Sequence, residues 1–191
     1  MNYVQPYTKS LQVFQCPSDA GRVSWETTSA TVSYGINTVF SNWGDNQRPI
    51  GAAGVHIGGC WMYASFRCDS LNESAVTQPS TSILVGEKHG GQFPGWAGTG
   101  NKSAFGMVAT FAAGSVASHG ELDAHGKIPD GTRAAVSDRS NPNGPNGSAS
   151  DAHFERTNFL FLDGHVKSMK PVDTNPNPGA RPLDNMWNST R

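Results

Sequence analysis

Residues 153–165 read His-Phe-Glu-Arg-Thr-Asn-Phe-Leu-Phe-Leu-Asp-Gly-His, an apolar run from Phe159 to Leu162 with an imidazole at either end and Asp163 beside the second. Imidazole next to carboxylate is the pairing that acid/base and metal sites use, because histidine changes charge near neutrality and its neutral ring nitrogen is a good ligand. A second group, His119, Glu121, Asp123 and His125, mixes the same donors. Its spacing matches neither the His-Glu-x-x-His pattern nor paired Cys-x-x-Cys motifs, so an exposed polar loop is its simpler explanation. Just before His153, Asp151 with Asn143 and Asn146 offers hard oxygen donors of the kind calcium takes. No cofactor is expected, with calcium the possible exception. Glu87, at the end of an apolar run, is available to pair with Asp163 as two carboxylates would in a glycoside hydrolase.

Other reaction classes lack their marks. There is no Gly-x-Ser-x-Gly elbow, no P-loop and no dinucleotide fingerprint. Fourteen basic against fifteen acidic residues give a formal charge of -1, which provides no field to draw the chain to nucleic acid or to anionic lipid. No stretch approaches the roughly 20 apolar residues that span a bilayer, and Met1-Asn2-Tyr3 does not begin a signal peptide. The three cysteines, Cys16, Cys60 and Cys68, cannot all pair within one molecule; Cys60 and Cys68 are close enough to close a small loop, and reduced buried thiols are the alternative.

The elements that must hold these groups are short. With 191 residues, 22 of them Gly and 12 Pro, and only 15% charged, the chain fits one domain of short strands and long loops, α+β or mainly β. Pro6 and Pro17 bracket the apolar segment Leu11 to Phe14, so any helix there is brief. A strand is predicted around Val32 to Tyr34, with Gly35 marking a bulge. Pro79 and Ser80 form a turn that leads into a buried strand from Ser82 to Gly86. Residues 137–151 are rich in Asn, Pro and Gly and read as an exposed loop, as does the tail of residues 171–191.

The clearest local signal is Asp163-Gly164 between two apolar strands, which predicts a hairpin over about residues 158–169 with a two-residue type I′ turn. In that register Phe161 faces Val166, and Phe159, Phe161 and Val166 share the core face, each contributing about 1.5 to 3 kcal/mol on burial. His165 then lies on the opposite face with Leu160, Leu162 and Lys167, as a solvated or hydrogen-bonded imidazole.

His153 is followed by nine residues and then by Asp163-Gly164, and the chain continues His165-Val166-Lys167. This resembles the bacterial prepilin-type family whose C-terminal signature is a histidine, nine residues, then Asp-Gly. Gln5-Pro6-Tyr7 leading to Cys16-Pro17-Ser18-Asp19, then Ser33-Tyr34-Gly35-Ile36-Asn37, and Pro79 to Lys88 are similar to three further segments of that family. The resemblance implies a pilin-like antiparallel sheet, a type IV pilin or type II secretion pseudopilin subunit in its globular part, in which His153, Asp163 and Gly164 mark the signature and are not catalytic. It implies partners that are copies of the chain or related subunits, a location in the cell envelope or outside the cell, and membrane contact only through an N-terminal spine helix that is absent or truncated in this sequence. The rival reading is a secreted carbohydrate-binding or hydrolytic β domain, with Trp25, Trp43, Trp61, Trp96 and Trp187 as aromatic platforms.

Overall fold

The computed structural model describes residues 5–18, 33–37, 51–52, 71–87, 110–111, 128–129, 145–147, 149–176 and 184–191. Among these residues the protein is mainly β. Helical structure in the described residues is confined to one α-helical turn, α1 (Gln5–Thr8), and short 3₁₀ turns, of which Leu11–Phe14 follows it. Ser10 caps that turn by accepting from the Gln12 N–H at 3.2 Å, the role for which serine is favoured just ahead of a helix. No helix among the described residues is long and apolar enough to cross a membrane.

Among the described residues five strands form one sheet in the order β3-β1-β2-β4-β5: β1 (Tyr34–Asn37), β2 (Ile83–Glu87), β3 (Thr110–Phe111), β4 (Thr157–Phe161) and β5 (Val166–Met169). Every neighbouring pair is antiparallel except β1 with the short β3. The first strand begins at Tyr34, where the sequence placed its end, and Gly35 pairs in register with Gly86 without a bulge. The irregularity lies in β2: Ile83 pairs with Phe161 and Val85 with Leu160, so Leu84 is the extra residue. Two small residues facing each other, Gly35 and Gly86, keep a regular ladder, while the longer central strand absorbs the kink.

The C-terminal hairpin spans Thr157 to Met169, but its register differs from the sequence expectation. Leu160, not Phe161, pairs with Val166. The Phe161 N–H donates to the His165 carbonyl at 2.9 Å and the Gly164 N–H to the Phe161 carbonyl at 3.0 Å, so the loop is the three residues Leu162-Asp163-Gly164. Gly164 alone in this loop takes a positive φ, +92°, whereas a type I′ turn would need one at Asp163 as well. One added loop residue turns the whole partner strand over, since side chains alternate with period two. Val166 is therefore 65% exposed instead of buried, and His165 shares the face of Phe161, its ring stacked on the phenyl with centroids 4.4 Å apart.

The core gathers Ile83, Ile128, Ala149, Phe159, Phe161, Met169 and Trp187. Trp187 comes from the segment read as an exposed tail, and it is fully buried, which removes it as a platform for a ligand. Its indole N–H donates to Thr174 Oγ1 at 2.8 Å, satisfying the one polar atom that burial would otherwise strand. Around it the tail is pinned at several points. The Ile83 N–H donates to Met186 O, the Asn37 amide donates to the carbonyls of Ile83 and Trp187, and Arg191 donates to the carbonyls of Thr81, Asn185 and Asn188. Burial holds the Arg191 guanidinium below its ordinary pKa, partly offset by nearby Asp184. Trp25, Trp43, Trp61 and Trp96, with Cys60, Cys68 and the group from His119 to His125, lie outside the described residues.

Candidate metal centre

Glu87 is the last residue of β2, and the strand's pairing decides where its side chain goes. Gly86 pairs with Phe159, so Glu87 lies against the start of β4, where its Oε2 accepts from the Asn158 N–H at 3.0 Å. The carbonyl of Glu87 accepts from the Ser150 N–H at 3.1 Å, and Thr157 Oγ1 donates to the Ser150 carbonyl. These bonds fold residues 150–156 back over the end of β2. The segment closes on itself through Glu155 N–H to Asp151 O at 2.9 Å and Arg156 N–H to His153 O at 3.1 Å. Phe154 and Glu155 are forced to φ of 56° and 62°, a conformation that costs residues with a Cβ on the order of 1–3 kcal/mol each.

The result is that His153 reaches Glu87. His153 Nε2 lies 3.2 Å from Glu87 Oε1 and 3.3 Å from the Sγ of Cys16, a free, buried thiol delivered by the segment after the first 3₁₀ turn. One ligand atom from each of the three residues falls within 4.8 Å of the others. Cys16 and Glu87 are 2% and 3% exposed, whereas the His153 side chain is 34% exposed, so the group opens to solvent on the imidazole side. Tyr34, at the start of β1, borders it: burial first, then the Glu87 carboxylate and Cys16, raise the phenol above its ordinary pKa.

Thiol, imidazole and carboxylate are also the parts of a cysteine nucleophile with its base. Such a relay sets the thiol on one ring nitrogen and the carboxylate on the other. Here Sγ and Oε1 meet the same Nε2. The thiol and the carboxylate oxygen thus converge on one ring nitrogen instead of flanking the ring.

Of the residues singled out from the sequence, His153 lies in this group, while Asp163 and Gly164 lie at the far end of β4 in the hairpin loop. Asp163 Oδ1 is 2.6 Å from His165 Nδ1 and also accepts the His165 backbone N–H at 3.2 Å. The side-chain bond from His165, then the backbone bond, hold the Asp163 carboxyl below its ordinary range. Glu87 and Asp163 do not form a carboxylate pair, since β4 separates them: Glu87 adjoins Asn158 and Asp163 follows Phe161. In the loop before His153, the Asn146 amide donates to Asp151 Oδ2 at 3.2 Å, which directs an N–H, not a carbonyl oxygen, toward the carboxylate. Asn143 lies outside the described residues. Sequence reasoning missed Cys16 and Glu87 as partners of His153. The only hint was that each stands in a different segment of the family resemblance.

Comparison with family models, with curated proteins and with solved structures gives no match to this chain.

Proposed function

We propose that this chain is the globular part of a structural, non-enzymatic subunit of a pilus-like or pseudopilus filament in a bacterial cell envelope, with copies of itself or related subunits as partners. One observation carries the reading. The segments in which the sequence resembles prepilin-type proteins are far apart in the chain, yet their residues meet around one sheet. Asn37 of the Ser-Tyr-Gly-Ile-Asn segment clamps Ile83 at the start of β2, Tyr34 of the same segment borders Glu87, and Cys16 and His153 both reach Glu87's neighbourhood. A set of motifs that shares one structural purpose is what a common architecture requires, and this supports reading them together as one fold signature. The outer surface is compatible with assembly: edge strand β5 leaves Val166 65% exposed, and Phe154 projects with 97% exposure.

The test is made at the native locus. With an epitope tag in the gene and whatever precedes Met1 in frame left intact, the protein is expected in material sheared from the cell surface or in the inner-membrane fraction. It should appear there as a form trimmed by a prepilin peptidase, with an apolar stretch of about 20 residues encoded upstream. Recovery as a freely secreted protein, processed at a small-residue signal cleavage site, would reject the filament reading in favour of a secreted β domain.

A further inference from the structure

We propose that Cys16, Glu87 and His153 form a binding site for a divalent transition-metal ion, with zinc the first candidate, and that a fourth position on the open His153 side is completed by solvent. The proposal stands apart from the filament reading, since it rests on the geometry of three side chains.

The donor set selects the metal class. A thiolate is a soft ligand and imidazole a borderline one, a combination that suits zinc or cobalt and disfavours calcium and magnesium. The spacing also fits. Tetrahedral zinc with Zn–S near 2.3 Å and Zn–N near 2.0 Å separates sulfur from nitrogen by roughly 3.5 Å, and nitrogen from a carboxylate oxygen by slightly less. The observed separations from His153 Nε2 are 3.3 Å to Cys16 Sγ and 3.2 Å to Glu87 Oε1, and the third edge of the triangle lies within 4.8 Å. An Nε2 atom carries at most one hydrogen, so it can donate fully to only one of the two acceptors that face it. An ion at the centre of the triangle satisfies all three atoms at once.

Supporting bonds orient the ligands as in established metal sites. The Asn158 N–H holds Glu87 Oε2, which turns Oε1 toward the imidazole, and the turn of residues 151–156 fixes the backbone carrying His153. On binding, Cys16 releases its thiol proton to solvent, and the His153 ring keeps its hydrogen on Nδ1 while Nε2 ligates. The ligands come from three distant parts of the chain, so the ion would tie the segment after the 3₁₀ turn to the end of β2 and to the loop before β4.

The test uses the whole chain, reduced and stripped of metal by a chelator, and titrated with cobalt(II) as a spectroscopic substitute for zinc. Expected are the visible bands of tetrahedral cobalt with a sulfur-to-cobalt charge-transfer band saturating at one equivalent, and a melting temperature that rises with added zinc. His153→Ala, at a half-exposed position, should still fold without metal, with some loss of melting temperature because Glu87 loses a partner, and bind at least about tenfold more weakly. Cys16→Ser should lose the sulfur band, and Cys60→Ser/Cys68→Ser should retain it. If the double variant does not fold, the loss in Cys16→Ser alone still assigns the sulfur. The proposal is overturned if the folded parent gives no stoichiometric cobalt spectrum, if Cys16→Ser keeps the sulfur band, or if calcium shifts the melting temperature as much as zinc does.

Discussion

The indole of Trp187 stands edge-on to the phenyl ring of Phe159, with centroids 5.9 Å apart and planes at 90°. It is one of the contacts through which residues 184–191 become part of the core, beside the packing of Met186. Edge-to-face pairs of this kind add to the area that they bury, and the Trp187 N–H is committed to Thr174 Oγ1. Trp187→Ala is expected to destabilise the fold by about 3–5 kcal/mol, the range for emptying a large aromatic site. Trp187→Phe should lose less while leaving Thr174 without its donor. Urea unfolding followed by circular dichroism measures both.

Gly164 has open space where a Cβ would be built, so steric contact does not explain why glycine is there. Its φ of +92° does. Gly164→Val is expected to destabilise the protein by about 1–3 kcal/mol through backbone strain alone, with Gly164→Ala milder. His165→Ala should leave folding nearly intact, because the ring is exposed. Equal melting temperatures for Gly164→Val and the parent would contradict the assigned loop.

Glu155 is exposed and held at a φ of 62°, where glycine meets no penalty. Glu155→Gly is expected to raise stability by up to about 1 kcal/mol, despite the greater freedom of the unfolded chain. Glycine keeps the backbone conformation of the turn that carries His153, so the same variant should leave the zinc response in place. A fall in melting temperature would show that the side chain matters more than the backbone conformation.

The Asp163 carboxyl is held below its ordinary range by His165. A group whose folded pKa is depressed contributes stability above its unfolded pKa and loses it as pH falls through the folded value. The hairpin should therefore loosen only on the acid side of the ordinary aspartate range. The carboxyl carbon shift of Asp163, followed by NMR, should titrate at lower pH than in His165→Ala, and an unchanged midpoint would remove His165 as the cause.

Much of this architecture is legible in the sequence where the signal is local. The apolar run Ile83 to Val85 after Pro79, and the paired runs around Asp163-Gly164, reveal the central strand and the hairpin because patterning and turn chemistry act over a few residues. Register was not legible. Asp-Gly serves a two-residue loop with both φ positive, and equally a three-residue loop with only the glycine positive, and the choice depends on what Phe161 and Val166 meet across the sheet. Trp187 in a Pro- and Asn-rich tail gives no periodic signal, and the described residues around it, 184–191, are held by hydrogen bonds from Asn37 and Arg191. The candidate metal group was invisible for a related reason. Cys16, Glu87 and His153 share no spacing, and only the pairing of β2 with β4 brings the loop before β4 onto the end of β2.

The strand order has a consequence for the birth of the protein on the ribosome. β2 lies at the centre of the sheet, yet its partner β4 begins 70 positions after β2 ends, and the tail that donates Trp187 follows later still. Each of those pairings closes a long loop before any burial rewards it, and among the described strands only β4 with β5 is a local contact. A nascent chain halted anywhere before Thr157 therefore holds its most apolar strand without a mate on one side. Whatever handles the polypeptide during synthesis meets an unfinished sheet until nearly the whole chain has emerged.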